Sequence, residues 1–266
     1  TVLAGRFLSL GESIGNSAWL GMFYAISSFN NAGFVPTPEG LQPYVGDWLI
    51  CMPIALGVFT GALGFPVILN VGRRLRTPSK WSLHSKLTLT TSSLLFLTGA
   101  LLIGILEWAN PATLAEHNGV TRLLIAIFSG VMPRSGGFSL VDPGNMHEST
   151  LVVNDALMFI GGGSASTGGG IKVTTFAVML LAIAAEARGD PDVEAFGRRI
   201  PPSTLRLAVA VTIVGSIVVI TSTMILLEIL RGTPYGVLSR VVFEVCSAFG
   251  TVGLSTGITP YLPTSG

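Results

Sequence analysis

Charge is scarce in this chain. Lys, Arg, Asp and Glu make up 11% of its 266 residues, against the roughly 25% of ordinary soluble domains. Hydrophobic residues make up 49%, and the mean hydropathy is +0.68. A chain this poor in charge reads as an integral membrane protein. No basic block is present, and 15 Lys and Arg balance 14 Asp and Glu. That balance excludes a nucleic-acid partner, because phosphate binding needs clustered cations. Cysteine is almost absent. Cys51 and Cys246 both fall inside apolar stretches and read as small buried residues rather than as a disulfide or metal pair. His84, His117 and His147 are scattered without metal-ligand spacing, so no metal or cofactor is expected in the chain beyond a transported ion. No nucleophile, base and orienting acid group together, which excludes an enzyme. Thr1 to Leu10 lacks the basic, apolar, small-residue order of a secretory signal.

What is present is a series of apolar segments of two lengths. Four approach or exceed the roughly 20 helical residues needed to span about 30 Å of hydrocarbon: Asp47 to Val71, Trp81 to Trp108, Leu151 to Ala187 and Ser203 to Leu230. Three others, Asn16 to Phe29, Gly119 to Met132 and Tyr235 to Phe249, offer only roughly 20 Å of helix. Each short segment runs into a glycine-bearing strip: NNAGFV at Asn30 to Val35, RSGGFS at Arg134 to Ser139, and GTVGLS at Gly250 to Ser255. This is the form of a re-entrant half-helix followed by extended backbone.

Basic residues set the expected orientation. Arg73, Arg74, Arg76, Lys80 and Lys86 cluster between the first two spans, and Arg188, Arg198, Arg199 and Arg206 between the last two. By the positive-inside rule these loops are cytoplasmic and the half-helices dip in from outside. Glu39, Asp47, Glu107, Glu116, Asp142 and Glu148 then fall on or near the outer face, where they read as solvated loop charges.

The strips also repeat, at intervals of roughly 110 residues when Gly33, Gly137 and Gly253 are aligned. Non-helical backbone at membrane depth survives only when buried in protein or lining water, so three such strips imply a shared axis. The carbonyl end of each half-helix carries about half a negative charge and favours a cation there. Glycine lets the backbone turn its carbonyls inward. Thr251-Val252-Gly253-Leu254 echoes the TVGYG strip that serves the handling of K⁺ in potassium channels.

With its FNNAGF, RSGGF and SAFGTVGLSTG strips and its GGGSASTGGGIK loop, the chain resembles the Trk/Ktr/HKT potassium transporters over nearly its whole length. The resemblance implies an all-α membrane protein in which helix, pore half-helix, filter strip and helix repeat around a pseudo-fourfold ion pore. Residues 1–80 would form the second pore unit (the end of its first helix, pore loop and second helix) and 81–190 the third with its glycine loop. Residues 191–266 would form the fourth without its last helix. Filter roles, K⁺ at the carbonyls, carry over to Asn31, Ala32, Gly33 and Phe34, to Ser135, Gly136, Gly137 and Phe138, and to Thr251, Val252, Gly253 and Leu254. Gly136 stands where the family usually has alanine. The first unit and last span have no counterpart here, so the chain is expected to be part of a longer transporter. The implied function is K⁺ uptake, multi-pass, in the plasma membrane, with a homodimer, the lipid bilayer and a cytoplasmic nucleotide-binding regulatory subunit as partners. Channel-like, proton-coupled and sodium-coupled flux (symport) suit the residues equally, and K⁺ over Na⁺ selectivity depends partly on the first strip. The alternative is an alternating-access carrier of Na⁺ or a small solute, which would need paired broken helices in inverted repeats.

Ten residues within the third long segment include six glycines: Gly161, Gly162, Gly163, Ser164, Ala165, Ser166, Thr167, Gly168, Gly169 and Gly170. Relative to alanine they disfavour a continuous helix by about 5 kcal/mol, so the span breaks there. The spacing of Gly163 and Gly168 suggests a phosphate-binding loop, but Gly169 stands where lysine is required. The resemblance implies an intramembrane gate. Lys172 either joins the gate or snorkels toward the cytoplasm. Arg134 is expected to point behind its strip toward Glu244 or another acid; Glu244 could equally brace its own strip. Asp155 reads as a cap or interface residue.

Overall fold

The computed structural model describes residues 2–262, and it is predominantly helical. The helices are α1 (Val2–Ser9), α2 (Ile14–Phe29), α3 (Trp48–Leu63), α4 (Phe65–Arg73), α5 (Leu83–Glu107), α6 (Gly119–Val131), α7 (Glu148–Phe159), α8 (Val173–Arg188), α9 (Pro202–Ile229) and α10 (Leu238–Phe249). Local caps start several of them. Ser13, Ser82 and Asn118 accept from the N–H three residues on, and Asp47 accepts from Leu49 and Ile50, each satisfying an orphan donor of a first turn. Asp47 also pairs with Arg6 at 2.7 Å, tying α1 to the start of α3.

Among the described residues, α5 and α9 are the unbroken helices long and apolar enough to cross a membrane. The segment expected from Asp47 to Val71 is broken: α3 and α4 meet at 99°. Gly64 supplies the turn with φ +90, and Pro66 sits in the first turn of α4, where a missing N–H costs nothing. The segment from Leu151 to Ala187 is likewise divided, into α7 and α8. The three short helices α2, α6 and α10 end beside the strips, within two or three residues of the bounds that apolarity suggests.

Packing is tight where small residues face each other. A methyl placed on Gly130 of α6 would lie 2.5 Å from the Ala100 nitrogen of α5, so the two backbones touch, as is usual in membrane helix pairs. The main core is built by the short helices and their strips: Phe7, Tyr24, Ile54, Phe128, Phe138 and Phe243 are all buried within it. Tyr24 lies against Phe7 and Phe138, with ring centroids 5.8 and 6.2 Å away. In α9, by contrast, Leu207, Ile213, Val214, Ile217 and Met224 are exposed. A two-residue hairpin, β1 (Glu194–Ala195) with β2 (Arg198–Arg199), turns at Phe196 and Gly197, both at positive φ. The Phe196 ring lies 5.6 Å from the Lys86 ammonium.

Not all of the acids expected to be solvated are so. Glu107, the last residue of α5, is fully buried. One carboxylate oxygen accepts from Asn110 Nδ2 (2.6 Å) and Thr113 Oγ1 (2.7 Å). The other accepts from His147 N at 2.9 Å and from Thr150 Oγ1. The acid therefore fastens the loop after α5 to the start of α7. Asp47, as a cap and ion-pair partner, also departs from a free loop charge.

Candidate functional site: three strips and a glycine loop

The strips share one backbone form. Asn31, Ser135 and Thr251, the second residue of each, have φ values of 54, 68 and 49, and Gly33, Gly137 and Gly253 have φ values of 69, 73 and 89. The residue between, Ala32, Gly136 or Val252, is not in the positive-φ set. A run that alternates in hand in this way turns successive carbonyls toward one side, whereas a strand turns them alternately. In each strip the amide of the residue between is taken by the helix before it: Ala32 N donates to Ser27 O (2.9 Å), Gly136 N to Met132 O (2.8 Å) and Val252 N to Ser247 O (2.8 Å). Two of the strip carbonyls are engaged, Phe34 O by Ser27 Oγ at 2.9 Å and Thr251 O by Ser135 Oγ at 3.1 Å.

The three glycines meet. A methyl on Gly33 would lie 2.8 Å from Gly137 Cα, one on Gly137 would lie 2.9 Å from Gly33 Cα and strike the Val252 carbonyl, and one on Gly253 would lie 3.8 Å from Gly137 Cα. Behind them Phe138 and Leu254 are buried, while Phe34 is 70% exposed.

The glycine loop lies against the second residue of every strip. Its base is closed by a parallel bridge between Ile160 and Ile171: Gly161 N donates to Ile171 O (2.9 Å), Ile171 N to Phe159 O (3.0 Å) and Val173 N to Gly162 O (3.0 Å). Its middle is stitched to the α3–α4 break by Gly163 N to Ala62 O (2.8 Å) and Phe65 N to Ala165 O (3.3 Å). At its tip Thr167 Oγ1 donates to Asn31 Oδ1 at 3.1 Å. Gly169 N donates to both Ser135 Oγ (3.1 Å) and Thr251 Oγ1 (3.0 Å). The Lys172 ammonium, half-buried, donates to the Gly168 carbonyl at 2.7 Å.

Arg134 departs from its expected partner. It is 3% exposed and donates to the Ser92 carbonyl (3.2 Å) and the Gly161 carbonyl (2.9 Å), linking the second strip to α5 and to the loop's base. Glu244 instead accepts from Ser255 Oγ (2.7 Å), Thr256 N (2.7 Å) and Thr259 Oγ1 (3.0 Å), bracing the chain after its own strip. Asp155 lies inside α7, not at a cap. Gly61 and Gly64 are site residues that the sequence reading passed over: a methyl on Gly61 would lie 2.5 Å from Asn31 Oδ1, and one on Gly64 would lie 2.5 Å from the Ser164 carbonyl. The signal for the second was a glycine two residues before Pro66.

Comparisons with known proteins give a consistent picture. The family described as TrkH, cation transport protein, matches residues 9–266. The Ktr system potassium uptake proteins B and D of Bacillus subtilis are 42% and 37% identical over 92% and 100% of the chain. The potassium/sodium uptake protein NtpJ of Enterococcus hirae is 34% identical over 92% of it. These alignments take in 54%, 58% and 54% of the relatives, so the chain spans about half the length of the curated relatives it matches. The potassium transporter TrkH from Vibrio parahaemolyticus superposes with a TM-score of 0.68 over 99% of this chain and 61% of that one; at 16% identity the likeness speaks to the fold alone.

Proposed function

This chain belongs to the TrkH family of cation transport proteins, and from that premise we propose that the complete protein takes up potassium ions across the plasma membrane. The Bacillus relatives are named for potassium uptake, and the Enterococcus relative for potassium and sodium. In this reading the carbonyls of Asn31 to Phe34, Ser135 to Phe138 and Thr251 to Leu254 replace the water around a bare ion. Residues 1–80, 81–190 and 191–266 are then successive units of a pseudo-fourfold ring that the longer protein completes. The loop from Gly161 to Gly170, with Lys172 beside it, is the gate below the strips. The full assembly is a homodimer served by a cytoplasmic nucleotide-binding subunit, which meets the basic inner loops.

One observation carries the reading. Three strips far apart in sequence share the same alternation of hand and come within van der Waals reach at Gly33, Gly137 and Gly253. A packing motif alone does not call for three copies of so costly a backbone, since each non-glycine residue at positive φ is strained by about 1–2 kcal/mol. The test is K⁺-limited growth of a transport-deficient cell carrying the complete protein. Gly137→Ser and Gly253→Ser should each abolish rescue while the protein still reaches the membrane. Rescue untouched by both would remove the filter assignment.

A further inference from the structure

We infer that the side-chain oxygens of Asn31, Ser135 and Thr251 form a ring that holds either the tip of the glycine loop or a monovalent cation, so that cation occupancy itself undocks the loop. The inference rests on reading the strips as the ion path and the loop as its gate.

The argument is one of proton and lone-pair accounting. Ser135 Oγ lies 2.7 Å from the Gly250 carbonyl and 3.1 Å from the Thr251 carbonyl, and a carbonyl can only accept, so the single Ser135 proton goes there. Two lone pairs remain on Ser135 Oγ. Thr251 Oγ1, 3.1 Å away, donates into one, and Gly169 N–H at 3.1 Å fills the other. The same N–H is shared with Thr251 Oγ1 at 3.0 Å. Asn31 is oriented by its Nδ2, which is 3.5 Å from the Arg134 carbonyl. That leaves Oδ1 for the Thr167 hydroxyl at 3.1 Å, whose proton also faces the Gly61 carbonyl at a longer 3.4 Å. Each contribution of the loop tip is thus a hydrogen-bond donor, the positive end of a dipole, and each contribution of the strips is an oxygen. A cation coordinated by the same oxygens presents positive charge to the same lone pairs and has to displace the loop to reach them.

The fit of the tip is also steric. A methyl on Gly169 would lie 2.5 Å from Thr251 Oγ1, 2.8 Å from Thr251 Cγ2 and 2.9 Å from the Gly250 carbonyl. The docked geometry therefore admits glycine at this position and nothing larger. A methyl on neighbouring Gly168 would meet Ser135 Cβ at 3.2 Å, a contact that a small shift relieves. Of these two neighbours, the residue whose N–H faces the ring makes the closer approach.

The complete protein, reconstituted in lipid nanodiscs and spin-labelled at Ala165→Cys on the exposed face of the loop, provides the test. Label mobility is read while KCl replaces N-methylglucamine chloride at constant ionic strength, with no gradient and hence no net flux. We expect the mobile fraction to rise saturably with K⁺. Ser135→Ala and Thr251→Val should each raise the mobile-to-docked ratio without K⁺ by about 2- to 12-fold and flatten the response to K⁺. Thr251→Ser, which keeps the hydroxyl, should restore both. Gly169→Ala should be mobile at every concentration. Mobility independent of K⁺, or a response unaltered by Ser135→Ala and Thr251→Val, would overturn the inference. That failure is distinct from failure of the underlying reading: K⁺ uptake that remains sensitive to Gly137→Ser alongside a K⁺-indifferent loop sinks only the competition, whereas uptake indifferent to Gly137→Ser sinks the filter.

Discussion

Glu107→Gln removes one charge and almost no volume, which makes it a clean probe of how the end of α5 and the start of α7 are held. Both carboxylate oxygens accept twice, from Asn110 and Thr113 on one side and from His147 N and Thr150 on the other. An amide can match only one side. If its NH₂ faces His147, a backbone N–H is orphaned; if it faces Asn110, an amide N–H is. The threonine hydroxyls can rotate to accept in either case. One buried orphan donor costs about 1–3 kcal/mol, and the bonds that remain lose their charge assistance, worth about another 1 kcal/mol each. Relief of the carboxylate's own desolvation returns part of this. The net expectation is a loss of about 2–4 kcal/mol. Unfolding of the complete protein by SDS in mixed micelles measures it, with Glu39→Gln as the control. Glu39 is exposed, and its substitution should stay within about 0.5 kcal/mol. A Glu107→Gln curve that overlays the Glu39→Gln curve would refute the claim that this acid is a buried fastener.

Two further outcomes follow from close contacts and from buried carbonyl partners. Gly130→Ala drives its methyl to 2.7 Å from Ala100 Cβ and should lower stability by about 1–3 kcal/mol. Gly72→Ala in α4 meets nothing within 4 Å and should be neutral or gain up to about 1 kcal/mol from helix propensity; the same SDS titration ranks them, and equal effects would contradict the packing. Arg134→Gln shortens the donor that reaches Ser92 O and Gly161 O, so hydrogen exchange at residues 160–163 should quicken while exchange in α10 stays unchanged. Uniform exchange in both regions would refute a local link.

Much of this architecture was legible because it rests on properties that sequence carries directly. The three short helices α2, α6 and α10 announce themselves by apolar length and a terminal glycine strip, and six clustered glycines foretell the break between α7 and α8. The break at Gly64 was hidden. A lone glycine in an apolar run is unremarkable, and only the geometry reveals that φ +90 there and Pro66 in the next turn act together. Glu107 and Arg134 escaped for a shared reason. The acid is satisfied by hydroxyls, an amide and a backbone N–H, and the guanidinium by carbonyls. Such partners have no charge to betray them, so a search for opposite charges pointed Arg134 toward Glu244 and left Glu107 in water. Tip-to-strip bonds were equally invisible, because Asn31, Ser135, Thr251 and Gly169 lie in separate parts of the chain and become neighbours only after folding.

The bridge between Ile160 and Ile171 gives the glycine segment the shape of a lariat with a tied neck. Lifting the far end forfeits the bonds from Thr167 and Gly169 and leaves the knot, and with it α7 and α8, in place. Two donors surrendered to solvent amount to about 1–3 kcal/mol, the size of a typical coupling between two binding events. The throw of this lever therefore falls within reach of one bound molecule, and no rearrangement of the helical scaffold is needed to work it.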